Sequence, residues 1–114
     1  MIGVFEHTGE GYLPLVDFQG WRVAILRHDE RFAKLTGLER HLETDEVFVL
    51  LNGGAALIVE QENGIREWKM ECGKVYNVPR NIWHHIVVTP DASVLVVENS
   101  NTSIENTEKK VVSC

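Results

Sequence analysis

Turn residues punctuate this chain at short, even intervals, and that rhythm limits what it can fold into. Gln19-Gly20, Asn52-Gly53, Asn63-Gly64, Gly73-Lys74, Pro79-Arg80-Asn81 and Pro90-Asp91 interrupt apolar runs too short to be helices of ordinary length. Runs of β-branched and aromatic residues broken roughly every 8 to 12 residues predict a sandwich or a barrel. Val16 to Phe18 and Trp21 to Leu26 flank the Gln19-Gly20 turn as two strands. Arg27 to Leu35 is charged, with Phe32 and Leu35 at helical spacing, and reads as a loop or a single helical turn. Leu38 to Leu42 and Glu46 to Leu51 are strands joined by Glu43-Thr44-Asp45. Asn52-Gly53 is a tight-hairpin signal, because both central residues of such a turn need positive φ, so Ala55 to Val59 is expected to pair back on Glu46 to Leu51.

Asn63-Gly64 repeats the signal. After it, Arg66, Trp68 and Met70 alternate with Glu67 and Lys69 as a strand with one wet face. Val75 to Val78, His84 to Thr89 and Val94 to Glu98 complete the strands, and His84, Ile86 and Val88 share one face. Val47 to Leu51 and Val94 to Val97 are apolar on both faces, as befits strands inside a two-sheet structure. From Asn99 the composition turns to Asn, Ser, Thr, Glu and Lys, which predicts a polar C-terminal extension over 99–114 that is peripheral, partly disordered or laid across a partner. One domain over 1–98 is the expectation, since 114 residues at 44% apolar content supply a single sizeable core.

Composition also removes function classes. A formal charge of −6 opposes the broad basic face used in non-specific nucleic-acid binding, and no helix-turn-helix segment precedes residue 15 or follows 98, so no nucleic-acid partner is expected. The longest apolar run, Val47 to Leu51, is far short of the roughly 20 residues that cross a bilayer, so no membrane partner is expected either. Without a basic region, long apolar stretch and small-residue cleavage site at the N-terminus, the expected location is cytoplasmic. Cys72 and Cys114 then read as free thiols. No Gly-x-Ser-x-Gly elbow supports acyl transfer, and no glycine-rich loop would cradle phosphate.

Chemistry concentrates in two places. Glu39 and His41 stand two apart on a strand, so their side chains leave the same face, and the short turn that follows can bring Glu46 beside them. His84 arrives from a distant strand that a barrel places opposite. Two imidazoles and one carboxylate, with positions left open, suit Fe(II), and related sites take Mn, Ni, Co or Zn. Glu39 is then a fourth, harder ligand or a nearby base. His85 points away from His84 and reads as structural or exposed, and His7 and His28 read as surface residues. Phe48, Trp68, Tyr76 and Trp83 read as core or pocket lining.

The same residues resemble the motifs of the small single-domain cupins, whose fold is a double-stranded β-helix or jelly-roll barrel. The first motif, His-x-His, three or four residues, Glu, six residues and Gly, is matched by His41, Glu46 and Gly53. The second, Gly, five residues, Pro-x-Gly, two residues and His, is matched from Gly73 through Pro79 to His84. Glu39 replaces the first histidine, Asn81 the glycine after Pro79, Val88 the asparagine after the last histidine, and Ala33 the opening glycine. Asn81 is able to take the left-handed conformation the glycine supplies. The resemblance spans residues 22 to 98 and implies a divalent metal (Fe, Mn, Ni or Zn) held by His41, Glu46 and His84, with Glu39 assisting. It further implies a sugar or organic-acid ligand, isomerase, lyase or dioxygenase chemistry, and a homodimer, for which the strand with Trp68 and Met70 offers a surface. The alternatives are a non-catalytic barrel binding a sugar or other metabolite, and an interaction protein with a vestigial pocket.

Overall fold

A computed structural model describes residues 1–112, so Cys114 lies outside the described residues. Ten strands form two five-stranded antiparallel sheets, and the described residues contain no α-helix. In chain order they are β1 (Tyr12–Phe18), β2 (Trp21–Arg27), β3 (Gly37–His41), β4 (Glu46–Asn52), β5 (Ala55–Gln61), β6 (Gly64–Lys69), β7 (Val75–Val78), β8 (His84–Val88), β9 (Ser93–Asn99) and β10 (Thr107–Val111). One sheet runs β1-β2-β9-β4-β7 and the other β10-β3-β8-β5-β6. Only β1–β2 and β5–β6 are hairpins; every other connection carries the chain from one sheet to the other, which winds the sandwich into a jelly roll.

Period-two alternation builds the core between the sheets. Phe48 and Leu50 of β4 and Val94 and Val96 of β9 project from one sheet and meet Leu57 of β5 and Ile86 and Val88 of β8 from the other. On three of these strands, β4, β8 and β9, the same inward face continues into polar residues: Glu46 before Phe48, His84 before Ile86 and Glu98 after Val96. The apolar core therefore fills the middle of the roll, and a polar group from each of three strands gathers at one end.

Three expectations from the sequence need correction. Asn52-Gly53 does not close a hairpin: β4 pairs with β9 and β7, whereas β5 pairs with β8 and β6. Only Gly53 takes a positive φ, of 78°, and a Cβ there would lie 2.6 Å from Cα of Ala92. The glycine serves a close crossing of two backbones at the corner between the sheets. The strand expected to have one wet face, β6, is exposed along its whole length, and Met70 lies beyond it in the core at 5% exposure, with its N–H on the Ala55 carbonyl. Met70 thus offers no outer surface to a partner.

The described part of the polar segment that begins at Asn99 contains a turn and a further strand. Ser103 caps a 3₁₀ turn over Ile104–Asn106, and β10 pairs with β3 from Thr107 opposite His41 to Val111 opposite Gly37. An edge strand is held by ladder hydrogen bonds and needs few apolar side chains, so composition alone misleads there. Trp83 reinforces the edge, flanked by the Arg40 guanidinium at 4.7 Å and the Lys110 ammonium at 4.4 Å. The region 27–36 contains bends and turns and no helix, and Phe32 is buried.

Candidate metal centre

Backbone contacts at the end of the roll fix where its histidines and carboxylates stand. Asn81 adopts φ of 70° in the turn after Pro79, and its N–H donates to the His41 carbonyl at 2.8 Å. Asp45 accepts from the Arg80 N–H at 2.9 Å and from Asn77 Nδ2 at 3.2 Å, which ties the β3–β4 turn to the β7–β8 turn. These donors hold the Asp45 carboxyl below its usual range. The two turns that deliver His41, Glu46 and His84 are thereby fastened to each other.

Glu39, His41, Glu46 and His84 converge, each offering one ligand atom with all four atoms within 4.8 Å of one another. His41 Nε2 lies 3.0 Å and His84 Nε2 2.9 Å from the same oxygen, Oε1 of Glu46. Glu39 Oε1 stands 3.7 Å from His41 Nε2, while its Oε2 accepts from Arg31 at 3.0 Å. His41, Glu46 and His84 are buried and Glu39 is half-buried.

Hydrogen bonds on the far side of each ring orient it. His84 Nδ1 is 2.9 Å from the Ile82 carbonyl, which only accepts, so Nδ1 carries a proton there. His84 Nε2 must then either be protonated or present a lone pair to a cation. His41 Nδ1 pairs with Thr107 Oγ1 at 2.9 Å, so β10 positions this ring. Burial alone would push both imidazoles down, but Glu46 more than offsets it and both end above the usual histidine value. Glu46 is itself held below the usual carboxylate range: burial opposes its charge, and the two imidazoles outweigh the burial. Two ring nitrogens aimed at one carboxylate oxygen require positive charge between them, and protons or a divalent cation both meet that requirement. The donor set, its burial and the outer hydrogen bonds fit such an ion.

Sequence reasoning missed a second wall of the same cavity. Glu98 is as buried as Glu46, at 6% exposure each, and stands one rung along from the Val47–Val97 pair that joins β4 to β9. Its Oε1 accepts from the Tyr12 hydroxyl and from Arg22 Nη2, the latter at 2.7 Å. Burial raises the Glu98 carboxyl, and the nearby charge of Glu46 raises it further, beyond what Tyr12 and Arg22 recover. The signal was present in the alternation Val94, Val96, Glu98, which sets a carboxylate in phase with two core valines. The cavity between the walls measures about 250 Å³, with Thr102, Ser103 and Ile104 also in its lining.

His85 lines the same cavity without belonging to the four-residue cluster. His85 is buried and structural, its Nε2 on the Lys34 carbonyl at 2.9 Å and its ring stacked on Phe32. His7 Nε2 bonds the Gly11 carbonyl at 2.8 Å. Cys72 is exposed and free. No helix among the described residues is long and apolar enough to cross a membrane.

By sequence, no family model and no curated protein matches this chain. By structure it has many neighbours. KdgF from Halomonas sp. superposes with a TM-score of 0.62 at 16% identity, over 81% of this chain and 79% of that one. The QdtA 3,4-ketoisomerase from Thermoanaerobacterium thermosaccharolyticum, solved with TDP, superposes at 0.64 and 17% identity, over 76% of this chain and 64% of the ketoisomerase. A cupin-2 domain protein from Shewanella frigidimarina superposes at 0.55 and 13% identity, over 83% and 82% of the two chains. The chain has the cupin fold. Asn81, which stands where the resembled motif has glycine, has a left-handed φ, and the cavity opens where β3, β4, β8 and β9 bring their polar inward residues together.

Proposed function

We propose that this cupin is a divalent-metal-dependent enzyme acting on a small sugar or organic acid, by isomerase, lyase or dioxygenase chemistry. The observation that carries the reading is the convergence of His41 Nε2 and His84 Nε2 on Glu46, with both rings oriented from behind by Thr107 and Ile82. His41, Glu46 and His84 would hold the ion, whether Fe, Mn, Ni or Zn, and Glu39 is the fourth donor. When bound, the ion supplies a Lewis acid for a carbonyl or other oxygen of the substrate. Glu39 also has the position of a general base: it is the least buried of the four, and Arg31 fixes its Oε2 while Oε1 stays on the cavity side. The ketoisomerase among the structural neighbours supports a sugar-sized substrate, and the cavity volume accommodates one.

Metal content by plasma mass spectrometry tests the reading, on untagged protein purified without chelator. Near-stoichiometric metal in the parent and none in a His41→Ala, His84→Ala double variant is the expected result. A parent that is empty and takes up no added Fe(II), Mn(II), Ni(II) or Zn(II) would overturn it. Loaded protein that binds sugars or hydroxy acids without turnover would instead make the chain a binding module. We also propose a homodimer, supported by the exposed apolar side chains of Ile2, Val4 and Phe5. Sedimentation at the mass of two chains is expected, and at one chain the dimer is refuted.

A further inference from the structure

Among the described residues, two buried side-chain polar atoms have no hydrogen-bond partner, Glu98 Oε2 and Arg22 Nε, and they belong to one ion pair in the wall of the cavity. We propose that Glu98 is a specificity-determining residue of this pocket, whose free Oε2 accepts a hydrogen bond from a hydroxyl group of the ligand. The ligand class is therefore a small hydroxylated compound. This deepens the reading of the cavity as a substrate site and does not depend on the metal.

The geometry gives the two oxygens of Glu98 different tasks. Oε1 is committed, receiving the Tyr12 hydroxyl from β1 and Arg22 Nη2 from β2. With Oε1 pinned by donors on two neighbouring strands, Oε2 is fixed on the side of His41, 3.9 Å from its Nε2. That separation is beyond a hydrogen bond. A buried acceptor without a donor carries an uncompensated desolvation penalty, and a ligand hydroxyl that reaches it relieves the penalty. A purely structural ion pair with Arg22 accounts for Oε1 and leaves Oε2 unexplained. Sites built to pair a substrate hydroxyl discriminate strongly against analogues that lack it, because the protein group is then left unpaired.

Replacing Glu98 by glutamine makes a sharp test, since Tyr12 and Arg22 both donate to the same position and so hold the amide oxygen there. The amide nitrogen then takes the place of Oε2, and an acceptor becomes a donor with almost no change in volume. Lactate and pyruvate are suitable probes, sharing a carboxylate and three carbons while one offers a hydroxyl and the other a carbonyl. Their affinities are measured by ligand-observed NMR titration of the full chain, both loaded with Zn(II) and metal-free. The parent is expected to favour lactate by about tenfold, and E98Q to bind pyruvate as well as lactate or better. Equal affinities in the parent, binding of neither probe, or a lactate preference that survives in E98Q would each overturn the proposal. Should E98Q fail to fold, Tyr12→Phe releases one of the two donors on Oε1 and is expected to cut the lactate preference about threefold; an unchanged preference there overturns it too. Failure of the metal reading is distinguishable, since it shows as absent Zn(II) uptake and leaves the metal-free comparison to decide the role of Glu98.

Discussion

Glu46 and Glu98 are two carboxylates on neighbouring strands, equally buried, facing one cavity, and their surroundings drive them in opposite directions. Glu46 lies between two imidazoles and is held below the usual carboxylate range; Glu98 has one guanidinium and one phenol on a single oxygen, and burial raises it. Two like charges side by side on adjacent strands are unfavourable unless cations intervene. The cavity distributes its positive groups unevenly: two imidazoles flank Glu46, while the guanidinium and phenol beside Glu98 both sit on Oε1 and leave Oε2 without a donor.

Removing Glu46 should break that contrast with the largest effect. Glu46→Ala takes away the carboxylate between the two rings, and metal affinity should fall at least about 100-fold in calorimetric titration. In the metal-free protein it also leaves two imidazoles without their counter-charge, for which urea unfolding should show a loss of about 3 kcal/mol. Arg22→Met tests the other wall. It strips Glu98 of its ion-pair partner and should cost about 2 kcal/mol by the same unfolding measurement, yet leave metal stoichiometry intact. Loss of metal in Arg22→Met would show that the two walls are not separate in function.

His41 and His84 are raised above their unfolded value near 6.5, so the stability they lend the metal-free protein is present below about pH 6.5 and is lost as pH rises through their folded values. Glu46 is lowered, so its contribution is present above about pH 4.5 and is lost as pH falls through its folded value. Glu98 is raised, and its contribution is likewise lost as pH rises. Thermal melts of metal-free protein should therefore peak between about pH 4.5 and 6.5 and decline on the alkaline side. Saturating metal should remove the histidine share of that alkaline decline, because it takes the place of the ring protons, and metal uptake should weaken as the pH is lowered. The smallest effect belongs to Tyr12→Phe, which removes one donor from Glu98 Oε1 and should cost about 1 kcal/mol in urea unfolding.

Much of this was legible in the sequence because it depends on local periodicity. Alternation predicted most of the strands, and the spacing of His41, Glu46 and His84 pointed to the cluster that the cupin fold assembles. Asn81 was legible too, since asparagine is among the few residues that tolerate a positive φ. The failures share a cause: they needed the order of strands in space. Asn52-Gly53 looks like a hairpin until β4 and β5 are known to lie in different sheets. Glu98, read only as the last residue of a strand, gains a role once β9 is placed between β2 and β4, next to Arg22 and Glu46. Thr107 sits in a polar stretch that gives no hint of a strand, yet it orients His41.

Whether the converging nitrogens of His41 and His84 hold a cation with Glu46 is decided by an anomalous-difference map from crystals of metal-loaded protein. One strong peak is expected within bonding distance of His41 Nε2, His84 Nε2 and a carboxylate oxygen of Glu46. A well-ordered map with no peak there, or with the metal bound elsewhere on the chain, would contradict it.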